Sequence, residues 1–200
     1  MWWQDVPDRK PLVRSSAPSL SPASLRRPRV SPSRDKFAGG EGGKSLAGGS
    51  EIHRAFEAVA WIDDMEPVLP SGNAGATVRE LLEIPAIRSG FERRGRKVDL
   101  HREQSVEAIV ADEWFSGVID RLHVFRDPLG LPERIEIIDF KTDRVSSPKE
   151  LIARHGPQMA AYREILGKAF SGVPITCRML STALGRWIDC QASGPPFSRS

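Results

Sequence analysis

Apolar side chains recur with a clear period only from residue 51 onward. Residues 51–63 predict an amphipathic helix, because one face collects apolar side chains at three-to-four-residue spacing, namely Ile52, Ala55, Phe56, Val59 and Ile62. Before this helix the apolar positions show no period, and 21 of the first 50 residues are Pro, Gly or Ser. Such a segment buries too little surface to offset its chain entropy. We therefore predict a disordered basic linker over residues 1–50 and a folded domain over residues 51–200.

Caps and turns divide the middle of the chain into short elements. Thr77 and Glu80 form a capping-box pattern at the start of a short helix that Pro85 should end, and a further helical stretch is expected through Phe91. The sequence Asp127-Pro128-Leu129-Gly130 has Pro and Gly where a type I turn prefers them. We predict strands on either side of this turn, over residues 98–110, 114–126 and 134–141.

The last third of the chain begins with a strong helix signal. Ser147-Pro148-Lys149-Glu150 combines a capping residue, a proline at the first helical position and a glutamate three residues after the cap. Gly156-Pro157 is predicted to interrupt this helix, so that a second helix covers residues 157–169. A final strand pair is expected over residues 174–181 and 186–190. The order of elements indicates an α/β fold in which helices flank a central mixed sheet.

Composition limits the class of protein but not its function. Apolar residues make up 40% of the chain and charged residues 28%, which is typical of a soluble domain, and no apolar run approaches the ~20 residues of a membrane span. The N-terminus does not have the pattern of a secretory signal. Two cysteines are too few for a disulfide framework, a four-thiolate zinc site or an iron–sulfur cluster. We therefore expect an intracellular, reducing compartment.

Net charge is a poor guide to nucleic-acid binding in this chain. The overall charge is +3, but residues 1–50 hold nine basic against four acidic residues, and residues 51–200 hold 20 against 22. The basic excess therefore belongs to the predicted linker. Arg121, Arg144, Lys149 and Arg154 are candidate phosphate contacts in the folded part, although solvated charges explain them nearly as well.

Candidate chemistry lies at the end of the third predicted strand. Asp139 and Lys141 are two residues apart, so their side chains share one face of the strand while Ile138 and Phe140 point into the core. A carboxylate that binds Mg²⁺ and a lysine that orients water suit phosphodiester hydrolysis. Because Mg²⁺ prefers six oxygen ligands, further donors are needed. Asp120 on the neighbouring strand and the Phe140 carbonyl are the candidates.

Taken alone, an Asp-x-Lys pair is more often a surface salt bridge, but here it belongs to an ordered set. The set comprises a helix with His53, then Gly-x-x-Asp, an apolar strand that ends Asp-Phe-Lys-Thr, and a capped helix with Gln-x-x-x-Tyr. This order resembles the PD-(D/E)XK nuclease superfamily, and most closely the RecB/AddA-like exonuclease domain of bacterial helicase–nucleases. The matching segments are Ile52–Glu57, Gly117–Leu122, Ile138–Thr142 and Gln158–Tyr162.

The resemblance implies a restriction-endonuclease-like fold and a role for each matched residue. Asp120, Asp139 and His53 would be metal ligands, Lys141 the catalytic lysine, and Gln158 and Tyr162 would support the site and contact DNA. Glu103 matches an acidic position on the family's first strand. The ion would be Mg²⁺, with Mn²⁺ as a substitute.

The resemblance also implies a cellular role. The protein would be an exonuclease-type enzyme that acts in bacterial DNA-break repair and recombination with a helicase partner, in the nucleoid-associated cytoplasm. The alternative is an inactive nuclease-like module that binds DNA or assembles with a partner.

One further motif suggests a different chemistry. Residues 38–45 fit the loosest spelling of a nucleotide-binding P-loop, which ends here in Gly43-Lys44-Ser45. A working P-loop joins a buried strand to a helix whose N-terminus faces the phosphates. The residues on both sides are poor candidates for those elements, so we predict that the chain has no ATP site.

Overall fold

The computed structural model describes residues 29–30, 43–110 and 113–190. Within these residues the chain forms an α/β fold whose strands belong to one mixed six-stranded sheet, which confirms the predicted fold class. The strands are β1 (Arg29–Val30), β2 (Val98–Val110), β3 (Glu113–Arg126), β4 (Pro132–Lys141), β5 (Ile175–Ser181) and β6 (Arg186–Asp189). The helices are α1 (Gly43–Glu57), α2 (Asn73–Leu82), α3 (Pro85–Arg88), which continues into a short 3₁₀ turn (Ser89–Phe91), and α4 (Pro148–Ala169).

Strand β3 organises the sheet. It pairs antiparallel with β2 along nearly its whole length. On its other edge its second half pairs antiparallel with β4, and its first half pairs in parallel with β1, where Arg29 lies opposite Trp114. Helix α4 then carries the chain from β4 to the parallel strand β5, and β6 completes the sheet as the antiparallel neighbour of β5. The two partners of β3 on this edge leave a gap between them near the middle of the strand.

Two apolar layers cover the sheet. Helix α4 packs on one face, where Leu151, Met159, Tyr162 and Ile165 meet side chains of β3 and β4. Helices α1 to α3 cover the other face. There Ile138 and Phe140 are buried, as predicted, together with Ala55, Phe56, Val78 and Phe91. Asp139 and Lys141 alternate with these residues and are also buried. The described residues include no helix that is long and apolar enough to cross a membrane.

The structure corrects the predicted helix starts on the α1 side. Helix α1 begins at Gly43 and ends at Glu57, whereas the apolar period predicts residues 51–63. Helix α2 begins at Asn73, directly after Gly72, so Thr77 lies inside it and is not its cap. Gly72 has a φ of 93° and provides no side-chain cap; a left-handed backbone turn that glycine adopts without strain starts this helix.

The predicted interruption at Gly156-Pro157 is wrong. Helix α4 is continuous, with Pro157 inside it. An interior proline costs about 3 kcal/mol, but buried side chains on both sides of it, Leu151 and Met159, pack in the same apolar cluster and hold the two halves in line. The predicted start is confirmed, because the Ser147 hydroxyl accepts a 3.3 Å hydrogen bond from the Glu150 backbone N–H.

The predicted linker over residues 1–50 lies mostly outside the described residues. Its described parts are β1 and the first residues of α1, which include Gly43-Lys44-Ser45. The remainder of the P-loop-like segment, residues 38–42, also lies outside the described residues.

Candidate active site

Asp120 and Asp139 face each other where the β3–β4 ladder ends. The last paired residues are Arg121 and Ile138, and one further step of this register sets Asp120 opposite Asp139. Asp120 Oδ2 accepts a 2.7 Å hydrogen bond from the Phe140 backbone N–H. At this point the Asp120 side chain therefore replaces the backbone hydrogen bonds that join β3 to β4 further along the ladder. Both carboxylates are buried, with 4% of Asp120 and none of Asp139 exposed.

Lys141 is held beside these carboxylates by a chain of hydrogen bonds. Its ammonium forms an ion pair with Asp139 Oδ2 and donates to Gln158 Oε1 at 3.0 Å. Gln158 Nε2 donates to the Tyr162 hydroxyl at 3.0 Å, and that hydroxyl donates to the Val118 carbonyl at 2.7 Å. Gln158 and Tyr162 are one helical turn apart, so both reach the same site from α4. Together with Asp120, these residues are five of the six side chains that the sequence proposed for the site.

Gly117 provides the space that this arrangement needs. A Cβ atom at position 117 would lie 2.8 Å from both Cε1 and the hydroxyl of Tyr162. Phe115 contacts the same ring edge-on, with centroids 5.6 Å apart. The sequence marks this glycine only as part of a motif. Glycine is needed here because β3 and α4 approach each other closely, which the spacing of residues in the sequence does not show.

His53 approaches the acidic pair from α1. Its Nε2 lies 3.3 Å from Asp120 Oδ2, and its Nδ1 lies 2.9 Å from the Gly49 carbonyl. Since a carbonyl can only accept, Nδ1 carries the proton, and in neutral imidazole this leaves Nε2 as an acceptor towards Asp120. A cation or a second proton stabilises two acceptors at this distance. Metal-binding histidines commonly have this arrangement, with the distal ring N–H bound to a carbonyl.

The donor set fits a hard divalent cation. Both carboxylate oxygens of Asp139 are buried. Its Oδ2 is paired with the Lys141 ammonium, and no further hydrogen-bond donor of the described residues reaches either oxygen. No three His, Cys, Asp or Glu side chains of the described residues form a ready-made metal cage. Mg²⁺ does not need one, because it keeps several waters and takes one or two carboxylates from the protein. The Phe140 ring stacks on Phe56 at 4.4 Å in the core, so only its backbone reaches the site, and its carbonyl remains a predicted ligand.

Glu103 lies next to this site on β2. It follows Arg102, which pairs with Arg121, and precedes Gln104, which pairs with Ile119, so it is set opposite Asp120. Its φ is 51°, a left-handed backbone conformation that is uncommon for any residue with a side chain. Its side chain is exposed. Glu103 therefore lies on the same rung of the sheet as Asp120, and its role stays a prediction.

The candidate phosphate contacts differ in their environments. Arg121 is 1% exposed and donates to backbone carbonyls on the α1 side of the sheet, so its prediction as a phosphate contact is wrong. Arg154 forms ion pairs with Asp143 and Glu150. Arg144 and Lys149 are exposed and remain candidates.

The loop after β4 is fixed by a pair that the sequence did not indicate. Asp143 Oδ2 lies 2.9 Å from His155 Nε2 on α4. The hydrogen bond from His155, aided by Arg154 and by the charge of Lys141, holds the pKa of Asp143 well below its usual range. These residues are twelve positions apart and match no pairing rule within an element, so only the turn of the chain from β4 into α4 brings them together.

Comparison with known proteins identifies a family and several relatives that this chain is similar to. A family model for the PD-(D/E)XK nuclease superfamily matches residues 44–185. An ATP-dependent helicase/nuclease subunit from Streptococcus agalactiae serotype III (strain NEM316) is 29% identical over 140 residues, 61% of this chain and 11% of that protein. Its counterpart of the same name from Streptococcus suis (strain 98HAH33) is 26% identical over 149 residues, 66% of this chain and 12% of that protein. The chain therefore spans 11 to 12% of the length of these relatives.

Proposed function

Because the chain belongs to the PD-(D/E)XK nuclease superfamily, we propose that it is a metal-dependent deoxyribonuclease that hydrolyses phosphodiester bonds at DNA ends or in single strands. The observation that carries this proposal is the buried pair of Asp120 and Asp139 with the Lys141 ammonium beside it. Burying two carboxylates next to each other is unfavourable unless a cation compensates them. A lysine that contacts one of the two leaves a negative charge for a metal ion.

Asp120, Asp139 and His53 are the residues that would hold the ion, which we propose is Mg²⁺, with Mn²⁺ as a substitute. When bound, such an ion polarises the phosphate and makes water a better nucleophile. In the reaction, the water oxygen loses a proton to solvent and forms a new bond to phosphorus, while the bond from phosphorus to the 3′ oxygen breaks and that oxygen takes up a proton from solvent. The products are then a 5′-phosphate and a 3′-hydroxyl.

Lys141 supplies the positioned cation of the reaction. Its ammonium is fixed by two partners, Asp139 and Gln158, and retains a third N–H that can orient the attacking water. Its positive charge offsets the charge that develops on the phosphate oxygens. Because Gln158 is itself held by Tyr162, the ammonium is pre-organised before substrate binds. Pre-organisation of this kind is the main source of electrostatic catalysis.

A helicase partner is proposed from the relatives. Their name combines a helicase and a nuclease, and this chain matches only 11 to 12% of their length. We propose that the domain processes DNA breaks in bacteria alongside a helicase polypeptide that feeds it DNA. The second candidate is an inactive module that only binds DNA. The two buried carboxylates disfavour it, because without a metal they repel phosphate.

The decisive experiment is cleavage of end-labelled single-stranded and duplex DNA by the purified, folded chain. Activity is expected with Mg²⁺ and not with EDTA, and Lys141→Ala should abolish it. Lys168→Ala is the matched control, since it removes an exposed lysine in the last turn of α4, where its partner is Glu164. If the folded protein cuts no faster than Lys141→Ala under all these conditions, the enzyme assignment is wrong. DNA binding without cleavage would then support the second candidate.

A further inference from the structure

A pair of arginines lies one rung away from the acidic residues of the site. Arg102 on β2 is paired with Arg121 on β3, and the next rung along both strands holds Glu103 and Asp120. Like charges directly opposite each other in a sheet are destabilising. Their presence here therefore requires acceptors that compensate them.

Those acceptors are backbone carbonyls at the C-terminal end of α1. Arg102 Nη1 donates to the Glu57 carbonyl at 2.6 Å, and Glu57 is the last residue of the helix. Arg121 donates from Nη1 to the Val59 carbonyl and from Nη2 to the Ala60 carbonyl, both at 2.7 Å. The end of a helix carries partial negative charge on carbonyls that have no partner within the helix. Arg102 thus caps α1, Arg121 binds the chain that directly follows the helix, and together they attach the end of α1 to the sheet.

Arg121 is held rigidly enough to fix the helix. Its guanidinium carbon lies 4.9 Å from the ring centroid of Trp61 and 4.8 Å from that of Phe91. Its Nε donates to His123 Nε2 at 2.7 Å, and the other nitrogen of His123 is 2.9 Å from a Glu136 oxygen. Burial, with the neighbouring charge of Arg102, lowers the pKa of Arg121 to about 9. The guanidinium therefore remains charged at neutral pH.

Helix α1 consequently meets β3 at two consecutive residues of that strand. Asp120 contacts His53 within the helix, and Arg121 binds the chain just beyond the helix end. His53 lies four positions before Glu57, the last helical residue, a distance of roughly 6 Å at the rise of a helix, and Val59 follows two positions later. A shift of the helix end would therefore be transmitted directly to the imidazole.

We propose that Arg121, assisted by Arg102, is a positioning residue that holds α1 so that His53 Nε2 stays within reach of an ion bound at Asp120. This inference rests on the proposed metal-dependent function. It assigns no contact between Arg121 and DNA or metal; Arg121 acts through the helix. Loss of its contact with the two carbonyls should therefore lower the affinity for the metal ion more than an equally destabilising change elsewhere in the domain does.

The test compares metal binding in a small set of variants of the full chain. Arg121→Lys keeps the charge but cannot bind both carbonyls and His123 together. We expect it to weaken Mn²⁺ binding, measured by titration calorimetry, by about 10–100-fold, the usual effect of losing an outer partner of a metal ligand. The Mg²⁺ concentration for half-maximal cleavage should rise by the same factor. Ile135→Ala is the control for destabilisation, because it removes a buried side chain about 13 Å along β4 from Asp139.

A double-mutant cycle separates positioning from general loss of stability. If Arg121 acts through His53, Arg121→Lys should cause no further loss of Mn²⁺ affinity in a His53→Ala background. Arg102→Met, which changes an exposed residue, should show a smaller loss in the same direction and serves if Arg121→Lys does not fold. The inference is overturned if the Arg121 and Arg102 variants bind Mn²⁺ as tightly as the wild type. It is also overturned if Arg121→Lys lowers the Mn²⁺ affinity by the same factor whether or not His53→Ala is present. Neither result contradicts the proposed nuclease function. A wild-type chain that neither binds Mn²⁺ nor cuts DNA overturns the proposed function itself.

Discussion

Asp120 accepts a hydrogen bond from the Phe140 backbone N–H, so the side chain of one candidate ligand orders the strand that carries the other. The same carboxylate also contacts the candidate ligand on α1, since its Oδ2 is 3.3 Å from His53 Nε2. This double role means that removal of the Asp120 side chain would damage the geometry of β4 as well as the charge of the site. A test of its chemistry must therefore keep the acceptor and change only the charge.

Asp120→Asn meets that requirement, because an amide oxygen can still accept from the Phe140 N–H. We expect the variant to remain folded and to lose roughly a thousandfold in cleavage rate, as metal-assisted transition-state stabilisation of several kcal/mol is removed. The measurement is single-turnover cleavage in Mg²⁺ together with thermal unfolding. Asp99→Asn, at a partly exposed aspartate paired with Arg126, is the control. A folded Asp120→Asn with wild-type activity would exclude Asp120 as a ligand.

Tyr162→Phe tests the chain of hydrogen bonds behind Lys141. The change deletes the hydroxyl that joins Gln158 to the Val118 carbonyl and keeps the ring. We expect kcat to fall by about 10–100-fold with little change in KM, because the ammonium is less well placed in the transition state. The cost in stability should be about 1 kcal/mol.

Thr176→Val is the matched control, since it removes a hydroxyl that donates to the Ile135 carbonyl at 3.3 Å, away from the site. Equal effects of Tyr162→Phe and Thr176→Val on kcat would contradict a positioning role for Tyr162.

Gly117→Ala is expected to destabilise the domain by about 1–3 kcal/mol through overpacking. Its added Cβ would lie 2.8 Å from two atoms of Tyr162 and would push the ring away from Gln158. The cleavage rate of the folded variant should therefore also fall, because the displaced ring no longer holds Gln158. Gly167→Ala provides the control within α4, because a Cβ there meets nothing within 4 Å; the alanine should stabilise the helix by about 0.5–1 kcal/mol. Chemical denaturation of both variants gives their free energies of unfolding. If Gly117→Ala is as stable as the wild type, position 117 does not lie in close contact with Tyr162.

His123 should make the fold sensitive to mild acid. Burial, followed by the charge of Arg121, lowers its pKa to about 4 despite the opposing hydrogen bond with Glu136. In the unfolded chain its pKa is near 6.5. Since the folded value is depressed, the folded state is favoured above about pH 6.5, and this stability is lost as the pH falls towards 4. The shift corresponds to about 3 kcal/mol.

The check is the free energy of unfolding at a series of pH values. His123→Gln keeps an acceptor for Arg121 and a donor for Glu136 without a titratable ring, so its stability should fall less between pH 6.5 and pH 4. A wild-type curve that is flat in this range would show that His123 is not buried in its neutral form.

Much of the sheet was predictable because strands and turns have local signals. The bounds of β2 match the predicted residues 98–110, and Gly130 N donates to the Asp127 carbonyl at 3.0 Å as the predicted turn requires. The helix bounds were less predictable. The capping-box pattern at Thr77 competes with the backbone turn at Gly72, and Pro157 is tolerated because of packing that acts on the whole of α4.

The sequence by itself determined the α/β class and proposed the candidate set of His53, Asp120, Asp139, Lys141, Gln158 and Tyr162. It could do so because a two-residue period places Asp139 and Lys141 on one face of a strand, and because the remaining members match a known order of motifs. The tertiary structure alone decided that Arg121 is buried under α1, and that Gly117 makes room for Tyr162. These facts depend on contacts between residues far apart along the chain, whose distances arise only when sheet and helices pack.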